Sequence, residues 1–378
     1  MSTLLLLLTA CSPSDDETGS TADTHADTGD TGDTGDTGDT GDTGDTGEPE
    51  VATFTLLDAA SAADVSNDGT TVLLSTQEFG EFTAWLWSEA EGLVDVGALG
   101  YNNIPWALSG DGTTVGATMD DADGISYPAR WTEAGGWQLV GVDRGAPCMP
   151  DDSGNGYGVN GDGSVFVGFF WEGCDASAFR WSEAGGLVLL ESLANGTNRA
   201  TAVSDDGEVT VGFAQGSFDR TPAIWQADGS GTVVDVDRVG ELYAVSADGS
   251  RAAGVVEQEG ALWDAEDGLT LIGKAPWARG PMDATELWAM SADGHVVAGT
   301  AGYGWELTTR ALLWTETTGF MKLEELLPTL GVVLPPEVAF IERVSGMSAD
   351  GRVLVGSVIL DTGAFQAFRV TLPAGVLE

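Results

Sequence analysis

Short segments of alternating apolar and polar residues, separated by glycine-rich turns, run through most of the chain after residue 50. In one such stretch, Tyr157-Gly158-Val159 precedes an Asn-Gly-Asp-Gly turn, and Ser164–Gly168 is the next alternating segment. Ala178–Trp181 and Leu187–Leu190 follow, with a second turn between them. Alternation with a period of two indicates β-strands, and Asp-Gly favours tight hairpin turns. The stretch therefore predicts four antiparallel strands.

The turn motif of this stretch, Ser/Asn-x-Asp-Gly, recurs along the chain. Its seven aspartates are Asp68, Asp111, Asp162, Asp206, Asp248, Asp293 and Asp350. Most of their spacings are between 42 and 45 residues, which is the length of a four-stranded propeller blade. We therefore predict an all-β fold over residues 51–378, a seven-bladed β-propeller of four-stranded antiparallel blades.

The two ends of this array complement each other. The seventh copy shows no fourth alternating segment after Thr371-Leu372-Pro373, whereas an extra segment, Thr53–Leu57, precedes the first turn motif. We expect this N-terminal strand to complete the last blade, because the ring then closes without an exposed sheet edge.

A tryptophan marks the third strand of six copies. These residues are Trp87, Trp131, Trp181, Trp225, Trp263 and Trp314, and Val370 takes the corresponding place in the seventh copy. A large ring repeated once per blade is most simply explained by packing between blades. We assign these tryptophans to structure rather than to ligand binding.

The repeated pattern resembles the HAF family of extracellular bacterial repeats. The residues that carry the resemblance are Thr201–Gly212, Ala178–Trp181 and Gly186-Leu187, which match Ala-Val-Ser-x-Asp-Gly, Val-x-Gly, Ala-Phe-Arg-Trp and Gly-Leu. The resemblance covers residues 53–373 and implies the repeat fold. It implies no particular activity. The turn motif differs from the Asp box of sialidases, which has a residue between Asp and Gly, and this argues against a sialidase.

One column of the repeat suggests a binding site. Three residues before each turn motif stand Ala63, Trp106, Tyr157, Thr201, Tyr243, Trp288 and Ser345. Repeat symmetry puts them at the start of the innermost strands, around the mouth of a central channel. Trp106, Tyr157, Tyr243 and Trp288 are therefore ligand-binding candidates, because aromatic rings with polar tips stack on sugars and flat groups. The alternative is that these side chains fill wedges between the blades.

The segments after the second and fourth strands are longer than the other turns, so we expect them to share one face. Further ligand-binding candidates in these segments are Trp171, Trp277 and Trp305. Their alternative role is partial burial over the blade ends.

Metal-binding and disulfide candidates lie near the third blade. Asp151, Ser153 and Asn155 put oxygen atoms at alternate positions before Gly156, like the opening of a calcium loop, although the turn residue Asp162 would have to be its last ligand. We predict no other cofactor. Cys148 and Cys174 are an even pair among the repeats, and the leucine run and Cys11 at the start of the chain indicate export. We therefore predict a disulfide between Cys148 and Cys174, with two free thiols as the alternative.

Catalytic residues are hard to identify. His25 precedes the repeats, and His295 is the only other histidine of the chain. It follows a turn motif on the face opposite the long segments. With His295 on that face, no Ser/His/Asp set, no Cys/His pair and no His-based metal cluster can be built among the repeats. Carboxylate pairs are too numerous to discriminate, so a glycosidase stays possible.

The first 50 residues indicate export. Residues 1–11 end in Leu8-Thr9-Ala10-Cys11 after a leucine run, which resembles the lipobox of bacterial lipoproteins and implies lipidation of Cys11. A chance leucine-rich leader with an ordinary cysteine is the alternative. Residues 12–50 contain seven Asp-Thr-Gly triplets, 13 acidic residues and no Lys or Arg. This composition predicts a disordered, self-repelling tether.

The charge balance narrows the partners. The 378 residues include 60 Asp or Glu and 14 Lys or Arg, a net charge of −46. Such a chain has no cationic surface for nucleic acid or for anionic lipid. We predict a monomeric outer-membrane lipoprotein that meets the membrane only through its lipid. Its propeller would bind a glycan or protein at the cell surface. The alternative is a propeller enzyme, either a carboxylate-based polysaccharide hydrolase or lyase or a calcium-dependent hydrolase.

Overall fold

The computed structural model describes residues 51–78, 81–141, 153–172, 175–216, 219–302 and 309–377. Within these ranges, 28 strands form seven four-stranded antiparallel sheets. Consecutive sheets pack side by side, and the last packs against the first. The seven-bladed β-propeller predicted from the repeat is therefore confirmed.

The strands of each blade follow one another from the channel outwards, except in the last blade. Blades 1 to 3 contain β2 (Ser61–Val65), β3 (Val72–Glu78), β4 (Glu81–Ser88) and β5 (Gly92–Asp95); β6 (Asn102–Leu108), β7 (Thr114–Asp120), β8 (Ser126–Thr132) and β9 (Gly136–Leu139); and β10 (Gly154–Val159), β11 (Val165–Glu172), β12 (Asp175–Ser182) and β13 (Gly186–Leu189). Blades 4 and 5 contain β14 (Asn198–Val203), β15 (Val209–Gln215), β16 (Arg220–Gln226) and β17 (Gly231–Val233); and β18 (Gly240–Val245), β19 (Arg251–Val256), β20 (Glu259–Asp264) and β21 (Gly268–Gly273). Blades 6 and 7 contain β22 (Ala284–Met290), β23 (Val296–Gly302), β24 (Arg310–Thr315) and β25 (Gly319–Lys322); and β26 (Val338–Met347), β27 (Val353–Leu360), β28 (Phe365–Thr371) and β1 (Thr53–Leu57).

The ring is closed by the first strand of the propeller. β1 pairs with β28 in antiparallel register, from Thr53 opposite Thr371 to Leu57 opposite Ala367. Phe54 stacks on Phe368 with ring centroids 5.6 Å apart, and Leu57 is buried. The predicted closure by Thr53–Leu57 is confirmed.

Each turn motif is held by its own side chains. In the first copy, Asp68 accepts hydrogen bonds from Ser66 Oγ at 2.7 Å and from the Thr70 N–H at 2.9 Å. Ser66 Oγ in turn accepts from the Thr71 N–H at 3.0 Å. Gly69 has a φ of +73°, which a residue without a Cβ adopts at little cost. These local bonds explain why the motif needs Ser or Asn, Asp and Gly at these positions.

A closed circle of backbone hydrogen bonds joins the seven turns at the end of the channel. In each blade the donor is the N–H of the second or third residue of the turn motif. The acceptor is the carbonyl oxygen of the second motif residue in the next blade. The bonds are Asn67 to Gly110, Asp111 to Gly161, Gly161 to Asp205, Asp206 to Ala247, Ala247 to Ala292, Ala292 to Ala349 and Ala349 to Asn67. We call these seven carbonyl-bearing residues the floor of the channel.

The third strands connect neighbouring blades, as predicted. Each of the six column tryptophans belongs to, or packs against, a buried apolar cluster, and Trp225 is fully buried. The arginine before the tryptophan bonds to the turn of the next blade. Arg130 and Arg180 donate to the carbonyls of Gly163 and Gly207, each at 3.0 Å.

The glycine of the Val-x-Gly pattern accommodates a bulge in the innermost strand. A register shift occurs beside Tyr243 in β18, between Leu242 and Ala244. A Cβ on Gly254 of β19 would lie 2.0 Å from the Glu241 carbonyl oxygen. The corresponding glycines in other blades, with equally close carbonyls at 2.0–2.1 Å, are Gly168, Gly212, Gly299 and Gly356. The bulge and the glycine therefore belong together.

Gly254→Ala should destabilise the propeller by about 1–3 kcal/mol, because the added methyl group must push β18 away from β19. Urea denaturation monitored by tryptophan fluorescence measures this change. Gly216→Ala is the matched control, since a Cβ there has nothing within 4 Å. Equal stabilities of the two variants would contradict the close approach.

The structure differs from expectation in two places. The segments after the second strands are not uniformly long, since β19 and β20 are joined by Glu257 and Gln258 alone, with φ values of +53° and +67°. These values are those of a type I′ hairpin turn. A short helix, α1 (Leu323–Thr329), was not predicted; it buries Leu323 and Leu327 one turn apart before β26.

Candidate functional site

The predicted column of seven residues encircles the channel. Every member is the bulged residue of its innermost strand, because all seven strand pairs shift register at this position. A bulge reorients side chains relative to regular pleating. We call this ring the collar. The channel contains two cavities, one at its mouth and one further in. Six collar residues line both cavities, and the seventh, Ala63, lines the mouth cavity.

The collar aromatics form two walls. Trp106 and Tyr157 of blades 2 and 3 have ring centroids 5.3 Å apart, and their planes are tilted by 52°. Tyr243 and Trp288 of blades 5 and 6 are stacked 4.2 Å apart with an interplanar angle of 13°. Small side chains occupy the remaining positions, where Ala63, Thr201 and Ser345 stand. The walls therefore lie on opposite sides of a slot.

The collar divides the channel into an outer and an inner space. The mouth cavity, of about 340 Å³, is lined above the collar by residues that include Phe82, Ile104, Arg199 and Arg343. The inner channel, of about 190 Å³, extends from the collar to Asn67, Gly110 and Asp205 of the floor.

One side of the mouth is charged. The residues two positions before the collar are Arg199, Glu241, Glu286 and Arg343 in blades 4 to 7, and Ser61, Ile104 and Asn155 in blades 1 to 3. In this arc Glu241 is only 2% exposed, forms an ion pair with Arg199, and accepts a hydrogen bond from Thr201 Oγ1 at 2.9 Å. The Arg220 Nη1 atom lies 3.2 Å from its other oxygen.

Arg199 also braces the aromatic wall of blade 3. Its guanidinium carbon lies 4.9 Å from the Tyr157 ring centroid and 4.7 Å from that of Phe213. Cation–π contacts of this kind stabilise both partners. The buried ion pair thus positions one face of the collar.

Burial governs the ionisation of the other groups at the mouth. It raises the pKa of Tyr243, and the carboxylates of Glu241 and Glu286 raise it further, so the phenol stays neutral. Burial also raises the pKa of Glu286. The indole N–H of Trp288 and the positive charge of Arg343 act in the opposite direction on this pKa. The Trp288 Nε1 atom is buried without a hydrogen bond of good geometry to any described residue.

Two carboxylates lie in the inner channel. Asp64 accepts hydrogen bonds from the N–H groups of Val65 at 2.8 Å and Leu108 at 2.9 Å. Burial raises the pKa of Asp64 to about 7 against these bonds, and Asp205 adds to the rise. Burial likewise raises the pKa of Asp205.

A side-chain bond spans the floor. Asn67 Nδ2 in blade 1 donates to Asp205 Oδ2 in blade 4 at 2.7 Å. Gly110 and Gly161 leave room for these two side chains. A Cβ on Gly110 would lie 2.3 Å from Asn67 Nδ2, and a Cβ on Gly161 would lie 2.9 Å from Asp205 Cβ. The bond therefore narrows the end of the channel opposite the mouth.

The other candidate residues that the structure describes do not line the mouth cavity or the inner channel. Trp277 packs on a buried cluster between blades 5 and 6, with Lys322 Nζ 5.3 Å from its ring, so it does not line the mouth. Trp171 lies edge-on to Phe169. Asn155 lies within β10 and donates to Thr118 Oγ1 at 3.3 Å, and Ser153 is buried just before that strand.

Several of the residues named in the sequence predictions lie outside the described residues. They are Trp305, Cys148, Cys174, Asp151, Cys11 and the 12–50 tether. Within the described ranges, no group of three or more His, Cys, Asp or Glu side chains is arranged to hold a metal ion. The helices found there are all too short or too polar to cross a bilayer.

Three parts of the site were not predicted from the sequence, namely Asp64, Glu241 and the floor bond. A signal for Asp64 was present, because the residue after the collar is Ala or Gly in every other blade. Glu241 and Arg199 occupy one repeat position in neighbouring blades, so alignment of the copies could have paired them. His295, by contrast, is exposed on a turn, as predicted.

Comparisons with known proteins concern the fold. No family model and no curated protein matches the chain. Among solved structures, an oligogalacturonate lyase from Vibrio parahaemolyticus is similar, with 12% identity over 86% of this chain and 92% of that one and a TM-score of 0.53. The β-propeller domain of the Trilobed protease from Pyrococcus furiosus has 10% identity over 84% and 94% of the two chains, with a TM-score of 0.51.

A third similar structure is TolB from Acinetobacter baumannii, with 14% identity and a TM-score of 0.42 over 58% of this chain. This chain spans about half of that protein, 54% of its length. The Pyrococcus domain has an open velcro topology, whereas β1 of this chain completes the last blade. At these identities the similarity shows the propeller fold alone.

Proposed function

We propose that this protein is a binding module of the bacterial cell envelope, and that the mouth of its propeller channel recognises a glycan or protein partner. The observation that carries the proposal is the pair of aromatic walls in the collar. Aromatic faces at the entrance of a concave site, with a few polar groups between them, are typical of ligand recognition. Thr201, Ser345 and Arg343 supply polar groups between and above the walls.

The alternative of wedge filling accounts less well for this arrangement. Packing between blades is already provided by the column tryptophans of the third strands. Trp106, in contrast, is 42% exposed at the mouth. A ring that filled a wedge would be buried, so its exposure favours contact with a partner.

The envelope location rests on the N-terminal sequence. The Leu-Thr-Ala-Cys11 segment and the acidic 12–50 segment support a lipoprotein whose propeller is held away from the outer membrane. The resemblance to HAF repeats supports an extracellular role. Mass spectrometry of the membrane-extracted protein tests the anchor, because diacylation of Cys11 adds the mass of two acyl chains and a glycerol.

Trp106→Ala combined with Trp288→Ala should reduce partner binding at least about tenfold, because each wall loses one ring and its stacking energy. Glycan and peptide arrays probed with the purified native protein identify ligands, and the variant is then compared on the same spots. The midpoint of thermal unfolding should fall by only a few degrees, since Trp106 is partly solvent-exposed.

Trp137→Ala is the control for the loss of an indole ring. Trp137 lies on the outer strand β9 and donates to the Gly97 carbonyl at 3.0 Å, far from the collar. It should retain native binding. Unchanged binding by the double variant, or a large destabilisation without loss of binding, would show that the collar aromatics serve packing.

A further inference from the structure

Asp64 departs from the pattern of its own repeat position. The residues directly after the collar in the other six blades are Ala107, Gly158, Ala202, Ala244, Ala289 and Gly346. Six blades thus form the same bulge with a methyl group or a hydrogen at this position. Because burying a carboxylate costs free energy, a residue that the blade geometry does not require there calls for another explanation.

The charge in the inner channel is negative and uncompensated. Asp64 and Asp205 are the only charged residues among the described residues that line this space. Asp205 is bonded to Asn67, whereas the bonds that Asp64 accepts from described residues come from two uncharged backbone N–H groups. Arg199 is held at the mouth by Glu241. The channel therefore favours a cation from outside the chain.

The entrance to this space suits a cation as well. A ligand that enters from the mouth passes Trp106, Tyr157, Tyr243 and Trp288, and the faces of aromatic rings attract positive charge. The chain from residue 51 onwards carries 47 acidic and 14 basic residues, a net charge of −33, which would steer cations towards the domain.

The small volume of this space and its carboxylate acceptor favour a primary ammonium. A lysine ends in a compact charge on a flexible four-carbon stem, whereas the guanidinium of arginine is a wide planar fork. The inner channel of about 190 Å³ is reached through the collar slot. A quaternary ammonium would lack the N–H donors that a carboxylate accepts.

We propose that the inner channel binds the primary ammonium of a lysine side chain from a polypeptide partner, with Asp64 as its carboxylate acceptor and the collar aromatics around its stem. This inference rests on the proposed function of the mouth and specifies the partner as a polypeptide. The mouth cavity would then hold the residues on either side of that lysine.

The first experiment uses n-butylammonium chloride as the probe and 1-butanol as its neutral counterpart, at constant ionic strength and pH 8. Tryptophan fluorescence of the full chain should respond saturably to n-butylammonium, because the charge lies beside the collar, and should not respond to 1-butanol. A native protein without a saturable response to n-butylammonium would overturn the inference.

Asp64→Ala is the decisive variant, since alanine is the residue that most of the other blades have at this position. It should weaken n-butylammonium binding at least about tenfold while keeping a native midpoint of thermal unfolding. Glu266→Ala removes the same charge from an exposed turn and should bind like the native protein. Equal affinities of Asp64→Ala and the native protein would overturn the inference.

The pH dependence provides a readout that a purely structural Asp64 would not show. Its pKa of about 7 means that the carboxylate is increasingly protonated below pH 7, so affinity should fall about tenfold per pH unit there. Asp205 lines the same inner channel as Asp64. Arg343 of β26 lines the mouth cavity, and Glu342 of β26 accepts a hydrogen bond from Ser357. Asp64→Ala should remove most of this dependence.

Two further results separate the sources of the ammonium and the two proposals. Binding of the peptide Ac-Gly-Lys-Gly-NH2 at least as tight as that of n-butylammonium supports a lysine side chain, whereas tighter binding of spermidine would point to a free polyamine instead. Glycan binding that depends on Trp106 and Trp288 but not on Asp64 would refute the lysine inference and leave the mouth as a binding site. If the double tryptophan variant still bound both ligands, the proposed function itself would be refuted.

Discussion

Deleting Thr53–Leu57 should lower the midpoint of thermal unfolding by about 10 °C or more, because it removes the strand that closes the ring. The deletion takes away the buried Leu57 side chain and the stacking of Phe54 on Phe368. It also leaves β28 as an unpaired edge beside the first blade, where it can pair with another molecule. Differential scanning calorimetry with light scattering measures both effects.

A deletion of residues 27–47 is the control, because these Asp-Thr-Gly triplets precede the propeller and should not alter its unfolding. A synthetic peptide of residues 51–60, added to the shortened protein, should restore part of the lost stability. A midpoint within about 2 °C of the native value would mean that β1 does not hold the ring closed.

Glu241→Ala should reduce the free energy of unfolding by about 3–5 kcal/mol, the second large effect expected from the structure. Glu241 is 2% exposed and pairs with both Arg199 and Arg220. Its removal leaves the largely buried Arg199 without its carboxylate partner. Arg199 should then move away from the Tyr157 ring, so binding at the mouth should weaken as well. Urea denaturation and the array measurements test the two consequences.

Glu89→Ala provides the contrast, since Glu89 also pairs with an arginine, Arg369 Nη1 at 3.4 Å, but is 79% exposed. Solvent and salt screen such a pair, so the stability should hardly change. If both variants lost the same stability, burial would not be the reason for the importance of Glu241.

The propeller itself could be predicted because every blade is specified by local residues. The Asp-Gly turns, the alternating strands and the third-strand tryptophans repeat at a common spacing, so each signal is seen several times. The collar was found in the same way, since a column of the repeat becomes a ring when the copies close into a circle. Trp277 has no such column, and its spacing could not show that it packs between blades 5 and 6.

Sequence by itself therefore determined the number of blades, the closing strand and the residues around the channel mouth, because these follow from features that recur in every copy. Tertiary structure alone decided the contacts between positions where the copies differ. The Arg199–Glu241 pair spans 42 residues, and the Asn67–Asp205 bond spans 138. Asp64 and Asp205, 141 positions apart in the chain, likewise line one inner channel only in the folded ring. Each of these contacts occurs once, so it leaves no periodic signal in the sequence. Only the folded ring determines which of the residues that differ between copies face each other across the channel.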